Sequence, residues 1–465
     1  MIHIDRPRTA ADLLPHLNRL FEISAAKIRS LEKSWSLSSG APVFTVEGRY
    51  TARGWTEWTE GFQYGSALLQ FDATGEREFL ELGRERTITR MAPHLTHMGV
   101  HDHGFNNVST YGALWRMARE GKIKTDDWEV RFYELALKVS GAVQARRWTP
   151  IKDGGFIHSF NGAHSLFVDT IRSLRALALA HQIGHRLVEE QDAQVNLLSR
   201  LLQHARATAT FNVFKGTSGG PFDLRGRVAH ESLFNVANGT YRGPSTQQGF
   251  SPFTTWTRGL AWAMLGFAEE LEFLSTVPAA TLSEAGGSDV ADWMLDAARA
   301  TCEFYIDAAA CADGIPYWDT GAPTLPMLGD WGSRPADPFN DHEPVDSSAA
   351  AIGAQGLLRL GRFLNTRGQD GTRYWQAGLR IADTLFDPAG PYLSRTESHQ
   401  GLILHSVYHW PNGWDYVPPG AHVPRGESSQ WGDYHAREVA LYLLRIAKNE
   451  VEPYLAFFGP SLTHA

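Results

Sequence analysis

The chain has 465 residues and a formal net charge of −8 at pH 7, and it is 43% hydrophobic and 11% aromatic. This apolar content excludes an intrinsically disordered chain, and the acidic balance gives no basic face for nucleic acid. The two cysteines, Cys302 and Cys311, exclude a disulfide framework or a four-cysteine zinc site. Because we find no signal-peptide core and no long apolar run, we expect a cytoplasmic protein that does not bind membranes.

Most of the chain has the hydrophobic period of α-helices, with apolar residues recurring three and four positions apart. In chain order the predicted helices are 10–32, 58–72, 76–93, 106–119, 125–145, 163–183, 187–209, 255–274, 289–310, 347–364, 371–386 and 433–448. Short polar or glycine turns such as 72–75 and 120–124 join several neighbours, and short links favour antiparallel helix pairs. Trp128 and Trp375 follow such turns and are predicted to pack in the helical wall.

Helix pairs repeated about six times predict an all-α fold, an (α/α)6 barrel in which six helical hairpins close into a ring. No Pro/Ser-rich linker or charge block divides the chain, so we predict a single domain over 1–465. Four long loops rich in Gly, Pro and aromatic residues interrupt the helices: 35–57, 211–254, 312–346 and 388–432. Ordered loops of this length are uncommon unless they carry function, so we expect them to contribute to a functional site.

A histidine-rich segment lies at 93–105. Its polar members are His94, His97, His101, Asp102 and His103. One interpretation is a metal site, with the first three histidines on one face of a helix, although no HExxH pattern or cysteine accompanies them. A second is a set of hydrogen-bonded histidines at a helix C-terminus. A third makes Asp102 an active-site carboxylate in a tight turn that Gly104 ends.

A second aspartate, Asp169, stands near the start of a predicted helix and is flanked by Phe167 and Val168. An apolar setting removes water from a carboxylate, so the pKa of Asp169 should rise and the group should hold a proton near neutral pH. The alternative is an ordinary ion pair with Arg172, three residues later, on a solvated helix face.

A third cluster comprises Gln248, Trp256, Arg258 and Trp262 at the entrance to a helix. Two rings, a guanidinium and an amide suit an anionic sugar, because rings stack on sugar faces and arginine pairs with a carboxylate. The alternative is that both tryptophans pack between helices and the arginine lies on the rim.

In order along the chain, these segments and others resemble the motifs of glycoside hydrolase family 88, the unsaturated glucuronyl hydrolases. The matching segments are WTEGF at 58–62, HDHGF at 101–105, FVDT at 167–170, QGF at 248–250, WTRGLAW at 256–262, PYWD at 316–319, DSSAAA at 346–351, HSVYH at 405–409 and WGDY at 431–434. The resemblance implies an (α/α)6 barrel that needs no metal or other cofactor. It also implies an unsaturated oligosaccharide substrate, produced by a polysaccharide lyase.

The family's chemistry differs from that of most glycosidases. Its members protonate C4 and add water at C5 of the unsaturated uronate, and the hemiketal then opens and releases the partner sugar. By position, the resemblance implies that Asp169 is the general acid and base and that Asp102 helps to orient the substrate or water.

The resemblance also implies a set of substrate-binding residues. By position these are His230, Gln248, Trp256, Arg258 and Trp262, an aromatic wall of Trp58 and Phe62, Tyr408 from a late loop, and Trp148 in place of a family tryptophan. Because the net charge is negative, Arg258 and His230 are expected to attract the uronate locally. His103, where the family motif has an apolar residue, and the insert 327–343 depart from the family pattern and bear on what binds beyond the uronate.

Three other functions remain open from the sequence. One is an unsaturated rhamnogalacturonyl hydrolase of family 105, which shares the chemistry. Another is a non-catalytic toroid whose aromatic cleft binds oligosaccharides. The third is a metal-dependent hydrolase built on the histidines between His94 and His103.

Overall fold

The computed structural model describes residues 1–54 and 57–448. Its α-helices are α1 (Leu14–Ser34), α2 (Glu60–Thr74), α3 (Arg77–Arg90), α4 (Ala92–Leu95), α5 (His103–Asn107), α6 (Ala113–Arg119), α7 (Asp127–Arg146), α8 (Thr170–Ser173), α9 (Arg175–Gln182), α10 (Leu197–Phe211), α11 (Thr257–Leu274), α12 (Ala279–Glu284), α13 (Val290–Phe304), α14 (Ser347–Asn365), α15 (Thr372–Phe386) and α16 (Gln430–Ala447). A π-helical turn, Val108–Gly112, joins α5 to α6, so the two form one continuous rod.

Short antiparallel strands lie in the connections between helices. They are β1 (Phe44–Val46), β2 (Arg49–Thr51), β3 (Trp148–Ile151), β4 (Gly154–Ile157), β5 (Ser165–Phe167), β6 (Leu187–Val188), β7 (Gln194–Val195), β8 (Glu231–Asn235) and β9 (Thr240–Ser245). The pairs β1–β2, β3–β4 and β6–β7 are hairpins, and β5, β8 and β9 form a three-stranded sheet.

The helices form two concentric rings. In the inner ring α2, α5, α8–α9, α11, α14 and α16 each pack against the next, and α16 returns to α2. The helices α1, α3, α7, α10, α13 and α15 alternate with them along the chain and cover them from outside. Inner helices are buried all round, as in α11, where every residue is buried. This is the (α/α)6 barrel that the helix pairs predicted.

The entrances of the helices carry the capping residues that such a ring requires. Asp126 and Glu129 form a capping box at the start of α7, and Asn196 caps α10. Asp346 caps α14 and Ser429 caps α16, so buried backbone N–H groups at these two inner-ring entrances receive side-chain acceptors.

The predicted elements differ from the observed ones mainly where short buried runs were assigned to helices. Ser165–Phe167, inside the predicted helix 163–183, is strand β5, and the first residues of 187–209 hold β6 and β7. A short run of apolar residues has no distinguishing period, so hydrophobic periodicity could not tell these buried strands from helices. Trp128 is 76% exposed and is not part of the wall, whereas Trp375 packs partly against the core.

No helix of the described residues is long and apolar enough to cross a membrane.

Candidate active site

A cavity of about 320 Å³ lies at the end of the barrel where the inner helices begin. Eight of the residues predicted from the sequence line it: Trp58, Asp102, Asp169, Gln248, Trp256, Arg258, Trp262 and Tyr408. Each of the two aspartates immediately precedes a helix, Asp102 before α5 and Asp169 before α8. Asp102 therefore lies at a helix entrance, and Gly104 is inside α5 rather than at the end of a tight turn.

The close approach of α5 to α8 brings the two aspartates to one wall. A Cβ on Gly104 would lie 2.3 Å from the carbonyl oxygen of Ser173, so only glycine permits this contact. Ser173 Oγ accepts a hydrogen bond from the Gly104 amide (2.8 Å) and donates one to the His101 carbonyl (2.7 Å). Gln144 donates to the same two oxygens from α7, which fixes the entrance of α5 against α8.

His101 lies between the two carboxylates. Its Nε2 is 3.1 Å from Oδ1 of Asp169 and 4.0 Å from Oδ1 of Asp102. Phe160 stacks on the imidazole, and Phe167 meets it edge to face, with ring centroids 6.2 and 5.6 Å away. The pair between His101 and Asp169 is therefore enclosed by aromatic rings, where a charged interaction is stronger than in water.

The expectation that the pKa of Asp169 rises is wrong. Burial does raise the pKa of this carboxyl, but the charge and hydrogen bond of His101, together with the charge of Arg258, outweigh it and lower the pKa below its ordinary value. The sequence showed the apolar neighbours of Asp169 but not the imidazole 68 positions earlier. Asp169 is thus a carboxylate in the free protein.

Asp102 has the perturbation that was expected of Asp169. Burial raises the pKa of Asp102 to about 6, with the charge of Asp169 adding to the effect and that of His101 opposing it. The pKa values of the two carboxyl groups of the cavity are therefore shifted in opposite directions, and such a difference is typical of acid and base pairs in active sites.

The alternative for Asp169, an ion pair with Arg172, is also wrong. Arg172 points into the barrel core, where Nε lies 2.8 Å from Glu269 and Nη2 lies 2.8 Å from Glu438. Although Asp169 and Arg172 are one helical turn apart, they belong to different clusters.

Arg258 is buried in the cavity wall and held on several sides. Nη2 donates to Oε1 of Gln248 (2.9 Å) and to the carbonyl of Tyr408 (2.8 Å), while Nη1 donates to the carbonyl of Val407 and contacts Asp346 at 3.3 Å. Its guanidinium also lies over the ring of Trp256. An anionic ligand would reach it by displacing the Gln248 amide oxygen, which is the side-chain acceptor exposed to the cavity.

No family model matches the chain, but individual known proteins do. An unsaturated glucuronyl hydrolase of Bacillus sp. strain GL1 is 25% identical over 408 residues, which cover 85% of this chain and 89% of that protein. The chain is thus similar to an unsaturated glucuronyl hydrolase over most of its length. An unsaturated chondroitin disaccharide hydrolase of Streptococcus pyogenes serotype M1 is 22% identical, and the match covers 85% of this chain and 84% of that one.

Solved structures of unsaturated glucuronyl hydrolases share the fold. The crystal structure of the Bacillus sp. GL1 hydrolase has a TM-score of 0.68 at 23% identity, with coverage of 93% of this chain and 97% of that one. A hydrolase described as specific for heparin has a TM-score of 0.69 at 19% identity, with coverage of 94% and 98%.

Three predicted binding residues lie outside the cavity lining, as far as the described residues define it. His230 lies behind the wall, with ring centroids 4.4 Å from Phe167 and 4.8 Å from Trp256. Burial lowers the pKa of His230 to about 4, so it is neutral and does not supply the expected positive charge. Phe62 is fully buried and supports the edge of Trp58 at 5.9 Å.

Trp148 is the third predicted residue outside the lining. The segment after it forms the β3–β4 hairpin, and Trp148 packs under the guanidinium of Arg200, 4.0 Å from the ring centroid. The long segment 149–165 thus holds Trp148 away from the cavity, while its later part brings Phe160 in.

Seven lining residues were not singled out from the sequence: Phe105, Phe160, Phe167, Gln247, His409, Asn412 and Trp414. His101, which also lines the cavity, was considered only as a metal ligand or a hydrogen-bonded histidine. His409 and Trp414 belong to the aromatic loop 388–432, whose composition was a usable signal. Asn412 and Phe160 come from irregular segments, where periodicity carries no information about which side chain points inward.

The other histidines of the segment 93–105 are hydrogen-bonded within the wall. His94 lies 2.9 Å from Glu60, and His103 contacts Ser140 Oγ and the carbonyl of His97, each at 3.1 Å. The predicted single helical face is wrong, because α4 ends at Leu95. Within residues 1–54 and 57–448 no three His, Cys, Asp or Glu side chains are grouped as a metal site requires.

Proposed function

We propose that the protein is an unsaturated glucuronyl hydrolase. It hydrates the C4=C5 bond of the unsaturated uronate at the non-reducing end of lyase-generated oligosaccharides and thereby releases the partner sugar. The observation that carries this proposal is the meeting of Asp102 and Asp169 in one aromatic cavity, with pKa values shifted in opposite directions. A single catalytic domain over 1–465 and a cytoplasmic location stay predictions from the sequence.

The chemistry divides between the two aspartates. Asp169, as a carboxylate, can take a proton from the water that adds to C5, and once protonated it can deliver a proton to C4. Asp102, whose pKa of about 6 leaves it mostly a carboxylate near neutral pH, can accept a hydrogen bond that orients the uronate or the water. A vinyl ether is protonated at carbon, so one carboxyl close to C4 and C5 suffices, and the spacing rule for two-carboxylate glycosidases does not apply.

Binding of the sugar is assigned to the rings and to one buried cation. Trp58, Trp256, Trp262 and Tyr408 offer faces for stacking, and Arg258 supplies positive charge against the uronate carboxylate. Among the described residues Arg258 is the only lysine or arginine that lines the cavity. The attraction of the uronate to this acidic protein is therefore local.

The test is a panel of lyase-digested polysaccharides: chondroitin, heparin, hyaluronan, gellan, xanthan, ulvan and rhamnogalacturonan. Hydration of C4=C5 removes the ultraviolet absorbance of the unsaturated uronate at the same rate as the partner sugar appears. Reaction in D2O should place deuterium at C4, detectable by NMR at early times.

Other outcomes would assign other functions. Sugar release that precedes the loss of absorbance would indicate ordinary attack at the anomeric carbon and contradict the proposal. Turnover of the rhamnogalacturonan product alone would favour the family 105 activity. Binding without any loss of absorbance would favour the sugar-binding toroid.

A further inference from the structure

The ionised state of Asp169 poses a problem for the proposed function. The general acid must hold a proton before it can protonate C4, yet Asp169 is a carboxylate in the free protein. A proton must therefore reach Asp169 from a group that contacts it. Among the described residues, the side chain that makes a hydrogen bond with the Asp169 carboxylate is His101, through Nε2 at 3.1 Å.

His101 is fixed so that this contact is its one side-chain hydrogen bond. Its Nδ1 has no partner among the described residues, and its carbonyl accepts hydrogen bonds from Ser173 and Gln144. Phe160 and Phe167 cover the ring. The imidazole is thus oriented by Asp169 on one side and by aromatic packing on the others.

The charged groups around His101 favour the protonated, positively charged form of its imidazole. Two carboxylates, Asp169 and Asp102, favour the imidazolium and raise the pKa of His101 although burial opposes this. The groups that interact with it electrostatically from neighbouring elements are Arg147, His158, His204 and His230. Burial lowers the pKa of these three histidines to about 4, 3 and 4 respectively, so they are neutral and only Arg147 opposes the charge.

We propose that His101 is a positioning residue for the general acid, holding Asp169 in place as a carboxylate and storing the proton that Asp169 delivers to C4. This inference rests on the proposed function for its final step, but the His101–Asp169 pair itself does not. Nothing in the sequence motif distinguishes this role from that of a metal ligand or a packed histidine, because Asp169 lies far away in the chain.

The proton steps balance without any further reactant. The Nε2–H bond of His101 breaks as an O–H bond forms on Asp169, and that proton then bonds to C4 using the electron pair of C4=C5. Water adds its oxygen to C5, and its released proton goes to the Asp169 carboxylate and from there to Nε2. One water is consumed, nothing is oxidised or reduced, and the imidazolium–carboxylate pair is restored.

The first test compares His101→Gln with His103→Gln. Both remove a buried imidazole from the same segment. His103 is neutral because burial lowers its pKa to about 3, and it is hydrogen-bonded to Ser140 and lies outside the cavity lining. We expect His101→Gln to lower kcat at least ~10-fold with little change in KM and to move the alkaline limb of the kcat/KM profile to lower pH. We expect His103→Gln to keep the parent profile, and Asp102 is present in both variants.

Contrary results are defined for each variant. An unchanged pH profile in His101→Gln would overturn the proposal, even if kcat falls, because a merely structural role predicts that result. A shifted profile in His103→Gln would overturn it as well.

The second test needs neither turnover nor a His101 variant. In the unsubstituted protein labelled with 15N-histidine, one imidazole should titrate at a pH above the ordinary range, and Asp169→Asn should move that titration to lower pH. Absence of such an imidazole overturns the proposal whether or not any lyase product is hydrolysed, so its failure is distinguishable from failure of the proposed function.

Discussion

Two buried clusters of charge lie within one helical turn of each other, and they differ in the cation that compensates the carboxylates. In the core cluster, Arg172 contacts Glu269 and Glu438, each at 2.8 Å. In the cavity cluster, His101 contacts Asp169 at 3.1 Å and faces Asp102. A guanidinium stays charged at any ordinary pH, whereas an imidazolium can release its proton. The core cluster is therefore built for stability and the cavity cluster for proton transfer.

The largest effect is expected from Asp169→Asn, which keeps the shape of the side chain and removes its basicity. Turnover should fall by at least ~10² because general acid–base catalysis is lost. The fold should be retained, since Asp169 is compensated by His101 and not by the core cluster. Initial rates on a cleaved lyase product, with circular dichroism as the check on folding, measure this. Retained activity would remove Asp169 from the mechanism.

The converse effect is expected from Arg172→Met, which should damage stability more than any cavity substitution. It leaves the buried carboxyl of Glu269 and the partly buried carboxylate of Glu438 with less compensation, and removing one partner of a buried ion pair costs about 3–5 kcal/mol. Chemical denaturation measures the loss. The control is Arg19→Met, whose pair with Glu22 is largely exposed and should contribute little. Equal stability of the two variants would contradict the conclusion that the core cluster stabilises the fold.

Arg258→Ala tests the guanidinium that belongs to the cavity. It should weaken substrate binding by about 1.5–3 kcal/mol, the range for a hydrogen bond to a charged group, and KM should rise accordingly. Because Arg258 also holds the carbonyls of Val407 and Tyr408, kcat should fall with it. Arg258→Lys keeps the positive charge but cannot donate to both the Val407 and Tyr408 carbonyls, so it separates the effect of the charge on KM from the effect of these hydrogen bonds on kcat. A purely structural arginine would leave KM unchanged in both variants.

Asp102→Asn should make the protein more stable at alkaline pH. The folded-state pKa of Asp102, about 6, lies above its ordinary value of 3.8, so the folded state binds the proton more tightly than the unfolded chain does. Its contribution is complete below pH 4 and is lost as the pH rises through 6. Asparagine lacks this loss, so the variant should gain about 3 kcal/mol at pH 8 and nothing at pH 4. Melting temperatures at both pH values measure this, and an equal difference at both would contradict it.

The barrel was predictable from the sequence because periodicity reports which helix faces are buried, and twelve helical segments in pairs leave few alternatives. The cavity was predictable where motifs lie at helix entrances, as with Asp102, Asp169 and Trp256. What could not be predicted is contact between distant segments. Asp169 meets His101 and not Arg172, and Arg258 meets Val407, about 150 positions later. Local composition therefore assigned the raised pKa to the wrong aspartate.

The smallest effect is expected at the mouth of the cavity, where Trp414 contacts the rings of Tyr408 and His409 and not a charged pair. Trp414 is 40% exposed and lies 5.4 Å from Tyr408 and 4.8 Å from His409 between ring centroids. Its exposed face is available for the partner sugar, so Trp414→Ala should raise KM a few-fold, about 1 kcal/mol of lost stacking, without changing the pH profile. Trp128→Ala, at a more exposed tryptophan on the outer helix α7, should change neither. A pH-dependent loss in Trp414→Ala would mean that the ionisation of the cavity extends to its mouth and is not confined to His101 and the two aspartates.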